Sequence, residues 1–137
     1  MATKKKAAKS VTRKGTRKCA IARATVAKGT GKVLVNGQGI QRITSPIVKS
    51  IVTEVLGMAE ANSIDISVRV RGGGEIGQAQ AIRTAIAKAA IDYHDNAEMK
   101  HEMAKHDRFV VISDSRQVEP KKCLGRKARA RRTVSKR

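Results

Sequence analysis

Aromatic side chains are nearly missing from this 137-residue sequence: tryptophan is absent, and Tyr93 and Phe109 are its one tyrosine and one phenylalanine. Readers of unpaired RNA or DNA strands stack bases on aromatic faces, so this composition excludes a stacking platform. Cysteine is scarce as well. Cys19 and Cys123 stand far apart with no C-x-x-C, which points to neither a disulfide framework nor a zinc knuckle and leaves the reduced thiols of a cytoplasmic protein as the expectation. No apolar run approaches bilayer-spanning length, and the start lacks the apolar segment of a secretory signal. The first residues share an acid-free character with organellar transit peptides but lack their amphipathic periodicity. Internal repeats are absent, and the length suits one modest core rather than two.

Negative charge is the other scarcity. The chain has 11 Asp and Glu against 30 Lys and Arg, a formal charge of +19, so compaction works against self-repulsion until a polyanion neutralises it. The excess is not spread evenly. Residues 1–18 hold eight basic side chains and residues 120–137 hold nine, with no acid in either stretch. All 11 acids lie between residues 19 and 119 with the remaining 13 basic residues, so the middle carries only +2. The pattern is a nearly neutral core between two basic tails.

Hydrophobic periodicity divides that core into elements. Ala20, Ala22, Ala24 and Val26 share one side of a strand over residues 19–27. Residues 28–32 (Lys-Gly-Thr-Gly-Lys) read as a hairpin turn into Val33-Leu34-Val35, which Asn36-Gly37 stops. Ser45-Pro46 offers an N-cap and a first-turn proline, and Val48, Ile51, Val52, Val55, Leu56 and Ala59 give a helix over residues 46–60. Ile64, Ile66, Val68 and Val70 alternate with Asp65, Ser67, Arg69 and Arg71, a strand with one apolar and one polar face. After a glycine run, residues 77–93 form the strongest helix, with Ala79, Ile82, Ala85, Ile86, Ala89, Ala90 and Tyr93 on one stripe. A shorter helix follows at 97–105, and residues 109–112 are a short strand or buried segment. Beyond Glu119-Pro120 nothing remains to bury, so the last 18 residues are expected to be extended or disordered when alone.

Two motifs invite catalytic readings. Gly72-Gly73-Gly74-Glu75-Ile76-Gly77 satisfies the G-x-G-x-x-G pattern of dinucleotide folds. Yet the strand before it alternates with charge instead of being apolar on both faces, the next acids (Asp92, Asp95) end a helix, and no partner strand follows promptly. Side-chain-free backbone beside Arg69 and Arg71 suits an RNA phosphate instead; the competing structural account is a tight turn that needs glycine dihedrals. His101 and His106 are five residues apart, about 140° around a helix, so they cannot hold one metal from one face. His94, Asp65, Glu75 and Asp107 show no paired catalytic arrangement. No catalytic residue, metal site or cofactor is expected. Arginine dominates the C-terminal run, and its planar fork suits bidentate phosphate contacts better than a merely solvated tail or a nuclear address requires.

Together these blocks resemble the universal family of the ninth protein of the ribosomal small subunit. The resemblance runs over about residues 13–137 and rests on Gly15-Thr16-Arg17-Lys18, the Gly72-Gly73-Gly74 to Gly77-Gln78-Ala79 segment through Ala81-Ile82-Arg83, and Asp114-Ser115-Arg116 leading to Glu119. It closes with Lys121-Lys122, Gly125-Arg126-Lys127-Ala128-Arg129 and terminal Ser135-Lys136-Arg137. The N-terminal extension and the Cys-Ala-Ile-Ala-Arg-Ala-Thr-Val strand are similar to archaeal members. The resemblance implies an α+β fold of the ribosomal S-five domain-two type: one compact domain, a mainly antiparallel sheet with helices on one face, and extended basic tails. Its parts are a basic extension over residues 1–14, a core over 15–118 and a tail over 119–137.

It also implies a structural, non-enzymatic role in the head of the cytoplasmic small subunit, among neighbouring head proteins and away from membranes. Its partners would be small-subunit ribosomal RNA and peptidyl-site transfer RNA. Matching positions give Arg126, Lys127, Arg129, Arg131 and Arg132 as ribosomal-RNA contacts. Arg13, Arg17, Lys18, Arg69, Arg71, Gly72, Gly73, Gly74, Gln78, Arg83, Arg116, Lys121 and Lys122 join them. Ser135, Lys136 and Arg137 are the expected transfer-RNA contacts. Charge alone would equally permit a DNA-compacting protein, which would bind duplexes in a length-dependent way; a nucleotide-dependent enzyme would require the glycine motif to bind a dinucleotide.

Overall fold

The computed structural model describes residues 10–130. Five strands form one mixed sheet: β1 (Ser10–Arg17), β2 (Ala20–Lys28), β3 (Val33–Val35), β4 (Gln38–Gly39) and β5 (Ile64–Arg71), in the spatial order β1-β2-β5-β3-β4. Four helices accompany it: α1 (Pro46–Met58), α2 (Glu75–His94), α3 (Ala97–His106) and the single turn α4 (Arg108–Val111). The expected α+β architecture is present.

Strands β1, β2 and β5 pair antiparallel, and their alternation decides the two faces. Ala20, Ala22, Ala24 and Val26 of β2 and Ile64, Ile66 and Val68 of β5 are buried, while Arg23, Arg69 and Arg71 on the other side are exposed. Helix α2 covers the buried face over β1 and β2, and α1 packs beside it. Much of that contact is alanine on alanine, with Ala79, Ala81, Ala85, Ala87, Ala89 and Ala90 of α2 fully buried, so helix and sheet approach closely. Gly15 marks the tightest point. A Cβ there would collide with the carbonyl oxygen of Ala81 and lie 2.5 Å from the amide nitrogen of Ala85.

Two expectations need correction. Residues 28–32 do not make a hairpin of β2 with β3, because β5 inserts between them and pairs antiparallel with β2 and parallel with β3. β5 offers eight residues to β2, whereas β3 has only three, so the longer ladder takes the place beside β2. The loop is instead tied to β5: Asp65 accepts amide hydrogen bonds from Thr30 (2.8 Å) and Lys32 (3.0 Å), which hold its carboxyl below the usual range. Asn36-Gly37 stops β3 after Val35 as expected, and does so as a two-residue turn into β4, with φ of +50° and +80°, the left-handed pair such hairpins require. Residues 109–112 are not a strand. Asp107 caps a helical turn by accepting from the Phe109 amide (2.8 Å), and Val110 alone is fully buried.

Strand β1 runs through the 14/15 boundary, starting at Ser10. It has only Val11 and Gly15 as apolar residues on its covered side, too little for a periodicity signal. The other helix starts follow local rules. Pro46 opens α1 with Ser45 at the cap position, although the serine side chain makes no cap bond. Asn96 caps α3 by accepting from the amides of Glu98 (2.9 Å) and Met99 (3.4 Å).

Candidate nucleic-acid interface

The expected RNA contacts fall into two groups once their surroundings are known. Five are held by carboxylates of the chain itself. Arg13 pairs with Asp92 of α2. Arg17, at the end of β1, donates to Gln80 (2.7 Å) and lies 3.2 Å from Asp114. Arg83 pairs with Asp107 (2.7 Å), and Arg129 with Glu119 (2.6 and 2.9 Å). Arg116 grips Asp114 through Nε, through Nη2 at 2.6 Å and through its own amide at 2.9 Å, and its guanidinium lies 5.1 Å from the centre of the Phe109 ring.

The Arg17, Arg83 and Arg116 pairs gather where the C-terminal segment leaves the body. The Asp114 side chain is only 5% exposed, between the guanidinium groups of Arg116 and Arg17. The Arg116 side-chain hydrogen bonds, then its amide, hold the Asp114 carboxyl down at about 2. Thr84, the one buried polar residue among those described, places its hydroxyl 3.0 Å from the Gln80 carbonyl and 3.1 Å from that of Phe109, fastening α4 to α2. Lys88 donates to Ser113 (2.7 Å), and its pKa is lowered by burial and then by Lys14. The exit of the tail is thus anchored at Ser113, Asp114 and Arg116.

The second group has no hydrogen-bonded or ion-paired partner among the described residues. Lys18 sits in the left-handed turn between β1 and β2 (φ +52°), exposed. Arg69 and Arg71 lie on the uncovered face of β5, and Lys121, Lys122, Arg126 and Lys127 are exposed along the tail. Residues 119–130 contain no helix or strand, and the chain turns back after Leu124 (φ +62°) so that Arg129 meets Glu119. Arg131, Arg132, Ser135, Lys136 and Arg137 lie outside the described residues.

The glycine run separates into structural and open positions. Gly72 and Gly73 have φ of +74° and +70°, and a Cβ on them would lie 2.7 Å from the Cys19 carbonyl and 2.9 Å from the Ala20 methyl. They are required by the turn and by the strand hairpin beneath it. Gly74 is different: nothing lies within 4 Å of where its Cβ would be, and it begins α2 with no side-chain cap bond. The first amides of a helix have no intrahelical partner and carry its positive end, so this opening can take an anion. Gln78 donates to the Gly72 carbonyl (3.2 Å) and fixes the turn.

Two cations absent from the expected contacts complete the open face. Lys14 stands opposite Arg23, and Arg23 opposite Arg69, in one row across β1, β2 and β5. Arg23 was legible as the polar alternate of the Ala-Ile-Ala-Arg-Ala-Thr-Val strand; its register with Arg69 was not. Elsewhere, His106 lies 3.3 Å from Glu54 of α1, and no three His, Cys, Asp or Glu side chains converge on one point among the described residues. No described helix is long and apolar enough to cross a membrane.

Comparison with known proteins agrees with this distribution of charge and chemistry. Residues 15–137 match the family described as ribosomal protein S9/S16. The chain is 42% identical to the small ribosomal subunit protein uS9 of Picrophilus torridus over 123 residues, covering 88% of this chain and 92% of that one. The uS9 protein of Thermoplasma acidophilum is also 42% identical, over 88% and 95% of the two chains, and that of Methanothrix thermoacetophila 40%, over 90% and 95%. All three relatives are archaeal, in keeping with the likeness of the N-terminal extension and the Cys-Ala-Ile-Ala-Arg-Ala-Thr-Val strand to archaeal members. The chain belongs to the ribosomal protein S9/S16 family and is a structural, non-catalytic component of the small ribosomal subunit.

Proposed function

We propose that the chain binds ribosomal RNA in the head of the small subunit, beside neighbouring head proteins, and touches peptidyl-site transfer RNA with Ser135, Lys136 and Arg137. In this reading residues 1–14 are a basic extension, 15–118 the body and 119–137 the RNA-threading tail. The observation that carries it is the sorting of cations. Arg13, Arg17, Arg83 and Arg116 pair with carboxylates of the chain, Arg17 and Arg116 at the Asp114 anchor of the tail, whereas Lys18, Arg69, Arg71, Lys121, Lys122, Arg126 and Lys127 have no described internal partner. Arg129 belongs with the second set, because its pair with Glu119 is solvent-exposed (85% and 52%) and such pairs exchange readily for phosphate.

Co-sedimentation with small subunits in high salt tests the ribosomal-RNA role; recovery in the free pool alone would overturn it. Deleting Lys136 and Arg137 tests the transfer-RNA role. The shortened chain should enter subunits normally and weaken peptidyl-site transfer RNA by about 1–3 kcal/mol, the worth of charged hydrogen bonds. Equal transfer-RNA dissociation rates with and without the pair would remove that role.

A further inference from the structure

We infer that the uncovered face of the sheet is a docking surface for the backbone of double-stranded RNA, an assignment that rests on the proposed RNA-binding role and adds a second surface to the tails. Three rows cross β1, β2 and β5 on this face. Lys14, Arg23 and Arg69 form the cationic row; Thr12, Thr25 and Ser67 form a hydroxyl row on one side, and Thr16, Ile21 and Arg71 lie on the other. Strands about 4.8 Å apart and alternate residues about 7 Å apart make this a small, nearly flat grid.

Like charges directly opposite one another destabilise a sheet. Here three stand in one row, and Arg23 and Arg69 have no described partner. Asp65, the one acid on this side of these strands, spends its carboxylate on the amides of Thr30 and Lys32. Such a row is relieved by a ligand with repeated negative charge, which favours a nucleic-acid backbone over a protein surface.

The remaining chemistry selects the kind of nucleic acid. The face holds no aromatic residue, so it offers unpaired bases nothing to stack on. The minor groove of an A-form helix is wide and shallow and presents phosphates beside 2′-hydroxyls. A cationic row bordered by Thr12, Thr25 and Ser67 matches that pairing. The hydroxyls of Thr12 and Thr25 are 3.0 Å apart and hydrogen-bonded, which orients them without exhausting their capacity to donate and accept.

The full chain, titrated with a mixed-sequence RNA duplex and followed by amide nuclear magnetic resonance, gives the direct test. Shifts at Arg23, Thr25, Ser67 and Arg69, in addition to the tails, are expected; shifts confined to the tails would overturn the assignment while leaving tail-borne RNA binding intact. The double variant Arg23→Gln/Arg69→Gln, checked for an unchanged circular-dichroism spectrum, should lower the salt slope of log affinity for the duplex by about 1.8, two phosphate contacts' worth. Thr12→Val/Thr25→Val should reduce the preference for an RNA duplex over a DNA duplex of the same sequence. Larger losses for single-stranded RNA than for the duplex, or an unaltered slope, would overturn it. Failure of the ribosomal role is read separately, by co-sedimentation with the subunit.

Discussion

Asp114 shows how one residue can organise a segment with no regular structure. It accepts from Arg116 and faces Arg17, so its carboxylate joins β1 to the start of the C-terminal segment. Its folded-state pKa of about 2 lies below the ordinary value of 3.8. Folding therefore favours the charged form, and the stability it contributes is complete above about pH 4 and lost as pH falls toward 2. Thermal melts of the wild type and Asp114→Asn should differ clearly at pH 6, with the wild type higher, and converge as pH falls from 4 to 2. A gap that persisted at pH 2 would mean that the charge is not its source. Gly15 gives a second prediction at this scale. Gly15→Ala pushes a methyl into the backbone of α2, where nothing flexible can yield, and should cost about 1–3 kcal/mol in urea unfolding. The acid of an Asp-Ser-Arg block can be seen in a sequence, but its burial between two arginines requires β1 and the tail to meet.

Among the α-helices described, α4 is the shortest and the most dependent on its surroundings. One turn is too short to be stable alone, and it persists because Asp107 caps it, Thr84 holds the Phe109 carbonyl and Val110 is buried. Val110→Ala removes two methyl groups from a closed core and should lower stability by about 2 kcal/mol, measured by chemical denaturation. With the turn loosened, the anchor points at Ser113 and Asp114 should also loosen, seen as faster amide exchange at Arg116. Periodicity identified α1, α2, α3, β2 and β5 because each buries a regular stripe. It missed β1, whose covered side holds Arg13 and Arg17 in ion pairs in place of apolar groups, and it paired β2 with β3, because local turn chemistry carries no information about a distant strand that competes for the same edge.

At the scale of the whole molecule, a charge of +19 burdens the isolated chain. The screening length falls from about 30 Å at 0.01 M salt to about 8 Å at 0.15 M. The melting temperature of the free protein should therefore rise across that range, whereas ordinary surface ion pairs would make it fall. An RNA duplex at low salt should produce the same rise by supplying the missing negative charge.

The sequence by itself determined that the partner is a polyanion, and it determined the composition of the core. Net charge, its confinement to the tails, the lack of aromatics and the apolar stripes are all properties of residue type and spacing, which folding does not alter. Only the tertiary structure decided which arginines are available. Arg13, Arg17 and Arg83 meet carboxylates from distant parts of the chain, while Lys14, Arg23 and Arg69 come into one row through strand register. Both outcomes depend on long-range pairing, set by the total burial and hydrogen bonding of the sheet rather than by any local pattern.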